Sequence, residues 1–229
     1  MSLVGRIGGL PWLAIILLLP VIVFGLFGPW LYLHDPTAID LQAPQLPPAW
    51  LDGGRWAYPL GTDQFGRDLL SRLIEGARVS LVIALFGVFI AALIGIIAGM
   101  ISGYVGGAVD SFIMQIVDIK MSIPANLLIV LLGAVVGGGL FTIVVTIVLL
   151  FWADYARIIR AETLTLRERG YVSLAKVANA SNLRVLRRHI LPNLFGTCIV
   201  LITLQIGRAI LIEAGISFIG LGVQPPASA

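Results

Sequence analysis

Few side chains in this sequence could do covalent chemistry. It has two histidines, His34 and His189, and one cysteine, Cys198, which sits in an apolar run. No cysteine or second histidine stands near His189, and Cys198 has no cysteine to pair with, so no metal centre and no intrachain disulfide is expected. A nucleophile inside a membrane would need a base at matching depth. Cys198 has no obvious one, and it reads as a small residue facing lipid or another helix. No G-x-x-x-x-G-K-[ST] run occurs, so the chain is not expected to cradle ATP phosphates. Catalytic residues and bound cofactors are therefore expected to be absent.

The remaining candidates are charges in apolar surroundings. Asp118 and Lys120 are two residues apart and do not share a helix face. Lipid exposure is costly for either, so a structural ion pair or an interfacial position is expected. Gln205, Arg208 and Glu213 interrupt the last apolar run. Arg208 and Glu213 are too far round a helix to pair ideally, which leaves Arg208 either a functional or an interhelical structural role. Asp154, Arg157 and Arg160 are expected to emerge at the inner surface. There they open residues 157–192, which hold eight of the fifteen Lys and Arg residues against only Glu162 and Glu168.

These residues need a membrane scaffold to hold them. The 229 residues are 59% hydrophobic and 12% charged, whereas soluble domains carry about 25% charge. Apolar runs near or above ~18 residues predict an all-α polytopic bundle rather than a barrel. Residues 1–229 are read as one transmembrane domain with five spans. These lie near 11–33, 80–102, 123–140, 141–155 and 194–214. Pro20 should kink the first, which is too long for a cleavable signal. An amphipathic helix in 103–122 leads to the third, broken by Pro124. Gly137-Gly138-Gly139 should make a hairpin before the fourth, which can continue through Ala161. Gly95, Gly99 and Gly103 recur on one helix face and predict close helix packing, static or sliding. Basic residues concentrate on the cytoplasmic side. Residues 34–79, with four Arg against six acids, are then external, and 157–192 and the N-terminus cytoplasmic. Membrane topology, not nucleic acid, accounts for the net charge of +3.

Both loops have internal order. In 34–79, Gly61-Thr62-Asp63 predicts a turn, Gly66 a second before Arg67, and Asp68 a cap for the next helix. The segment is an ordered connector or a contact surface. In 157–192, a helical stretch breaks near Asn179-Ala180-Ser181. A second helix follows, with Ser181 as its cap and Leu183, Leu186 and Ile190 as an apolar stripe. Arg184, Arg187, Arg188 and His189 fill its other faces, before Leu191-Pro192. Such a helix suits a protein groove or an anionic lipid surface.

Five segments, in order, resemble one family: GTDQFGRDLLSRLIEGARVSL, VDIKMSIP, YARIIRAETL, YVSLAKVANASNLRVLRRHILPN and EAGISFIGLGVQPP. They are similar to the inner-membrane permease subunits of bacterial ATP-binding-cassette (ABC) importers for di- and oligopeptides, a group that includes nickel and glutathione importers. The resemblance implies the type I permease fold with six transmembrane helices in the bacterial inner membrane. It also implies a second homologous permease, an external solute-binding protein, and two ATPase subunits that carry the ATP and magnesium. One helix is then expected to be missing from the end of this chain. The resemblance further implies an ATPase-docking EAA loop, in which Glu-Ala-Ala is followed after three residues by Gly and later by Leu-Pro. The matching positions are Ser173-Leu174-Ala175, shortly after Tyr171, then Asn179 and Leu191-Pro192. Asn tolerates the left-handed backbone that Gly would adopt, whereas losing the Glu removes a charged contact. The resemblance makes the ATPase cleft the expected groove. A stand-alone secondary transporter and an intramembrane enzyme are the readings of other classes.

Overall fold

In a computed structural model of the chain, residues 10–222 are described, and their regular structure is helical. Apolar runs without water must satisfy their amides internally, which selects helix. The order is α1 (Leu10–Leu31), α2 (Leu69–Val105), α3 (Gly107–Ser122), α4 (Ala125–Val136), α5 (Leu140–Arg167), α6 (Gly170–Val177), α7 (Asn182–Val185) and α8 (Leu191–Phe218). A π turn, Leu186–Ile190, joins α7 to α8. Arg6 and the last residues of the quoted ending, from Val223 on, lie outside the described residues.

Two compact units divide the chain. One ends its main stretch at Val82, and the other is Ile83–Gly222. In the first, α1 contains Pro20 and Pro29. A Cβ on Gly25 would come within 2.4 Å of Leu81, so α1 packs tightly on the start of α2.

In the second unit the glycine stripe faces α5. A Cβ on Gly95 would lie 2.3 Å from the Trp152 carbonyl oxygen, one on Gly99 2.6 Å from that of Ala156, and one on Gly103 2.8 Å from that of Arg160. The obstacles are α5 backbone, which cannot rotate aside. Gly99→Leu should therefore destabilise the protein by overpacking, by about 1–3 kcal/mol or more. A melting temperature for the detergent-solubilised protein within a degree of wild type would contradict this contact.

Ile123 takes the extended conformation that a following proline imposes. Pro124 then opens α4 at 85° to α3. Gly137 and Gly139 turn the chain at φ 87° and 132°, values that few other residues tolerate, and α5 follows. Tyr104, Ile159, Val172, Val185, Ile190 and Leu194 form one buried cluster; Val117, Ala153 and Ala156 form another.

The spans differ in extent from their sequence limits. Among the described residues three helices are long and apolar enough to cross a membrane: α2, α5 and the continuous rod Asn182–Phe218. The bent pair α3–α4 makes a fourth if it crosses as one, and α1 offers the shorter apolar stretch Leu18–Leu31. Helix α2 begins at Leu69, behind its Asp68 cap and eleven residues before the expected start of the second span.

Candidate coupling surface and charged helix faces

The segment after α5 is held by one face and bare on the other. Val172, Val185 and Ile190 are fully buried against Tyr104, Ile159 and Leu194, and the Tyr104 hydroxyl donates to Asn182 Oδ1 at 3.2 Å. Helix α6 ends where Asn179 turns left-handed at φ 57°, and the Ala180 amide closes the end on the Ala175 carbonyl at 3.0 Å. The break thus survives with Asn in the position where Gly was the expected residue.

On the other face Leu174 is 71% exposed, Val177 85% and Leu183 64%. Ser173 is also exposed, Ala175 half-buried, and Tyr171 lies with its ring 6.2 Å from that of His189. A groove of ≈ 310 Å³ runs between Ser181, Leu183, Arg184, Arg187 and Arg188. Leu191 and Pro192 begin α8, where a missing proline N–H does no harm.

Two expectations need correction. Ser181 occupies the N-cap position, but its side chain makes no capping bond; its carbonyl accepts the Val185 amide at 3.0 Å. The stripe Leu183, Leu186, Ile190 does not present one docking face: Leu183 is exposed, whereas Leu186 packs half-buried on the cluster that Ile190 joins, fully buried, beside Val185. The π turn adds a residue to the coil, so buried positions fall five apart, at Val185 and Ile190, rather than at 3.6-residue spacing.

The motif in 61–68 forms one hydrogen-bonded knot. Gly61 and Gly66 have φ of 81° and 75°, and a Cβ on either would strike the carbonyl oxygen of Leu46 or Asp40. The buried Thr62 hydroxyl donates to the Ala43 carbonyl at 2.5 Å and accepts the Leu46 amide at 2.9 Å. Asp63 accepts the Phe65 and Arg67 amides at 2.8 and 3.0 Å, and the side chains of Arg67 and Arg72 at 2.8 and 2.6 Å. Asp68 caps α2 through the Leu70 and Ser71 amides at 3.2 and 3.3 Å, as its place before the helix predicts.

Burial pushes the Asp63 carboxyl up, but the two amides and the Arg67 guanidinium outweigh it and hold it below the usual carboxylate range. A depressed folded value means stability that is full above about pH 4, the unfolded value, and is lost as pH falls through the folded value. Protease cleavage within 34–68 should therefore rise as a membrane preparation is acidified below about pH 4. Asp63→Asn should be cleaved readily already at neutral pH, with less acid dependence. Equal resistance of the two proteins at pH 7 would contradict the assignment.

A set of interhelical charges was not visible as pairs in the sequence. Arg160 holds Asp110 through Nε and Nη2 at 2.5 and 2.6 Å, and the Ser102 hydroxyl also donates to Asp110. Arg157 reaches Asp118 at 2.6 Å, and Arg167 donates to the Gly103 and Tyr104 carbonyls at 3.3 and 3.4 Å. Asp118 and Lys120 each turn to α5 rather than to one another: Lys120 donates to the Leu150 carbonyl. Asp154 lies midway along α5, accepting from Gln205 at 3.2 Å and Arg208 at 3.3 Å, with Arg208 also over the Phe151 ring at 5.2 Å. Glu213 is buried and accepts from the Ser217 hydroxyl. The available signal was order: Asp110 and Asp118 on α3 meet Arg160 and Arg157 on α5 in reverse sequence, as antiparallel helices must.

Residues 95–229 match the family model described as binding-protein-dependent transport system inner membrane component. The chain is 40% identical over 222 residues to the di/tripeptide transport system permease protein DppC of Pseudomonas aeruginosa (strain UCBPP-PA14), covering 97% of this chain and 72% of that one. It is 41% identical over 215 residues to the probable D,D-dipeptide transport system permease protein DdpC of Escherichia coli (strain K12), covering 94% and 70%. Against the dipeptide transport system permease protein DppC of Haemophilus influenzae, identity is 37% over 214 residues, covering 93% and 72%. Among solved structures, a chain of the MetNI methionine ABC transporter superposes with a TM-score of 0.57 at 20% identity, covering 66% of this chain and 76% of that one, a likeness of fold. The matched family and the helical fold together make this chain a multi-pass inner-membrane permease subunit rather than an enzyme, and it belongs to the family of binding-protein-dependent transport system inner membrane components.

Proposed function

We propose that this chain forms half of the translocation pore of an ATP-driven importer of di- and oligopeptides. In this reading residues 157–192 couple it to ATPase subunits on the cytoplasmic side, where the N-terminus also lies. One observation carries the coupling role: Leu174, Val177 and Leu183 are bare, Leu183 in a groove with Arg184, Arg187 and Arg188, while Val172, Val185 and Ile190 anchor the same segment. An apolar face with basic flanks, rigidly tied to its helices, suits a groove in a protein.

The chain supplies no ATP site of its own. Closure of two ATPase subunits, which hold ATP and magnesium, pulls on α6 and α7. The continuous rod Asn182–Phe218 carries that displacement into the bilayer. A second homologous permease completes the pore, and an external solute-binding protein delivers cargo to the face that bears residues 34–79. The relatives' names favour peptides over a nickel chelate or glutathione carried by the same machinery.

A tagged chain purified from membranes should bring down two ATPase subunits and a second permease. Reconstituted with the binding protein, the complex should take up labelled dipeptide only with ATP. Uptake by the chain alone, without ATPase subunits, would instead make it a secondary transporter.

A further inference from the structure

The charges along α5 and α8 border a hollow that no coupling role uses. A cavity of ≈ 530 Å³ lies between Asp154, Arg157, Leu201, Leu204, Gln205 and Arg208. A second, of ≈ 270 Å³, shares Asp154 and Arg208 and adds Lys120 and Pro124. The two meet at the Asp154–Arg208 pair. Small-molecule sites run from about 300 to 1,000 Å³ with mostly apolar walls and a few convergent polar groups. We propose that this hollow is a transit site in which Arg208 receives the terminal carboxylate of a passing peptide; the proposal rests on the transport reading above.

Depth is the first ground. At ~1.5 Å per residue, Asp154 lies ~21 Å along α5 from its Leu140 end. Arg208 is well inside α8, yet its side chain is 60% exposed. A guanidinium turned to acyl chains at such a depth is costly, so this face meets water or protein. Charge is the second. Among the described residues that line the two cavities, Lys120, Arg157 and Arg208 stand against Asp154, and Arg157 is taken by Asp118 beside them. The local excess is one positive charge, which suits an anion.

Geometry is the third ground. A guanidinium presents five N–H donors in a planar fork that fits a carboxylate. Asp154 and Gln205 both use Nη1 of Arg208, so most of the fork remains for an incoming group. Asp154 then holds Arg208 when the site is empty and yields to the cargo carboxylate when it is full. Every unmodified peptide carries that carboxylate whatever its side chains. Leu201 and Leu204 give walls without directional demands, which suits cargo of mixed sequence.

The test is cysteine protection in the intact transporter. Leu204→Cys is placed in a Cys198→Ser background, and the complex is reconstituted with its ATPase subunits. A charged thiol reagent reports access to the cavity. L-alanyl-L-alanine at millimolar concentration should slow labelling at least fivefold. Its N-acetyl derivative, which keeps the carboxylate, should protect as well, and its C-terminal amide should not. Arg208→Gln should lose the protection, and Arg208→Lys should regain part of it, a recovery that a misfolded variant cannot show. Equal protection by the amide, or full protection in Arg208→Gln, overturns the proposal. ATP-dependent dipeptide uptake without carboxylate-dependent protection overturns this site alone. No uptake at all, or no co-isolated ATPase, overturns the transport reading and this one with it.

Discussion

Replacing Leu174 and Val177 together by Asp should lower ATP-driven uptake at least a hundredfold and leave the chain folded in the membrane. Both side chains stand outside the buried clusters, and exposed positions of this kind shift stability by no more than about 0.5 kcal/mol. In the proposed complex they enter an ATPase groove. There each buried aliphatic side chain contributes about 1.5–3 kcal/mol, and a carboxylate in its place is a desolvated charge facing apolar walls. The double variant therefore weakens docking by roughly 3–6 kcal/mol, enough to lower coupled uptake by at least a hundredfold. Immunoblots of membrane fractions should show normal amounts of the chain, while co-purified ATPase falls away. Val185→Asp should behave oppositely, losing the protein itself, because Val185 is fully buried. Uptake within twofold of wild type in the Leu174/Val177 variant would remove this face from the coupling surface.

The parts of this site that were legible in the sequence depend on local chemistry. Asn179 breaks the helix because its own side chain tolerates a left-handed backbone, and Asp68 caps α2 with amides two and three residues away. The glycine stripe is likewise a property of one helix. What escaped depends on residues distant in sequence or on departures from ideal geometry. Arg160 and Asp110 are fifty residues apart, and nothing local to either names the other. The π turn splits the stripe, burying Ile190 with Val185 and leaving Leu183 bare, because an extra residue per turn breaks the periodicity from which the stripe was read. Pro124 marked a break, but its 85° bend depends on how α4 packs beyond it. Thr62 was read as part of a turn, whereas its buried hydroxyl also ties that turn to the earlier stretch at Ala43 and Leu46.

Arg160→Ala should lower stability far more than Arg157→Ala, although both arginines pair with α3 aspartates at nearly the same distance, 2.5 and 2.6 Å. Burial separates them. The Arg160 and Asp110 side chains are 31% and 18% exposed, against 51% and 66% for Arg157 and Asp118. Removing Arg160 leaves the Asp110 carboxylate half-buried with the Ser102 hydroxyl as its remaining side-chain donor. Breaking one partner of a well-buried pair costs about 3–5 kcal/mol; partial exposure brings this to roughly 2–3 kcal/mol. For a chain of this size that is a fall in Tm of roughly 4–12 °C, at about 2–4 °C per kcal/mol. The exposed Arg157 pair is worth about 0–1 kcal/mol, so Arg157→Ala should move Tm by no more than about 4 °C. The double change Asp110→Arg with Arg160→Asp should recover part of the loss, since the charges still meet, whereas either single reversal places like charges together. Comparable losses for Arg160→Ala and Arg157→Ala, or a double reversal no better than the singles, would mean that this pair does not hold α3 to α5. Retained stability in Arg160→Ala would shift that task to the apolar contacts around Val117 and Ala153.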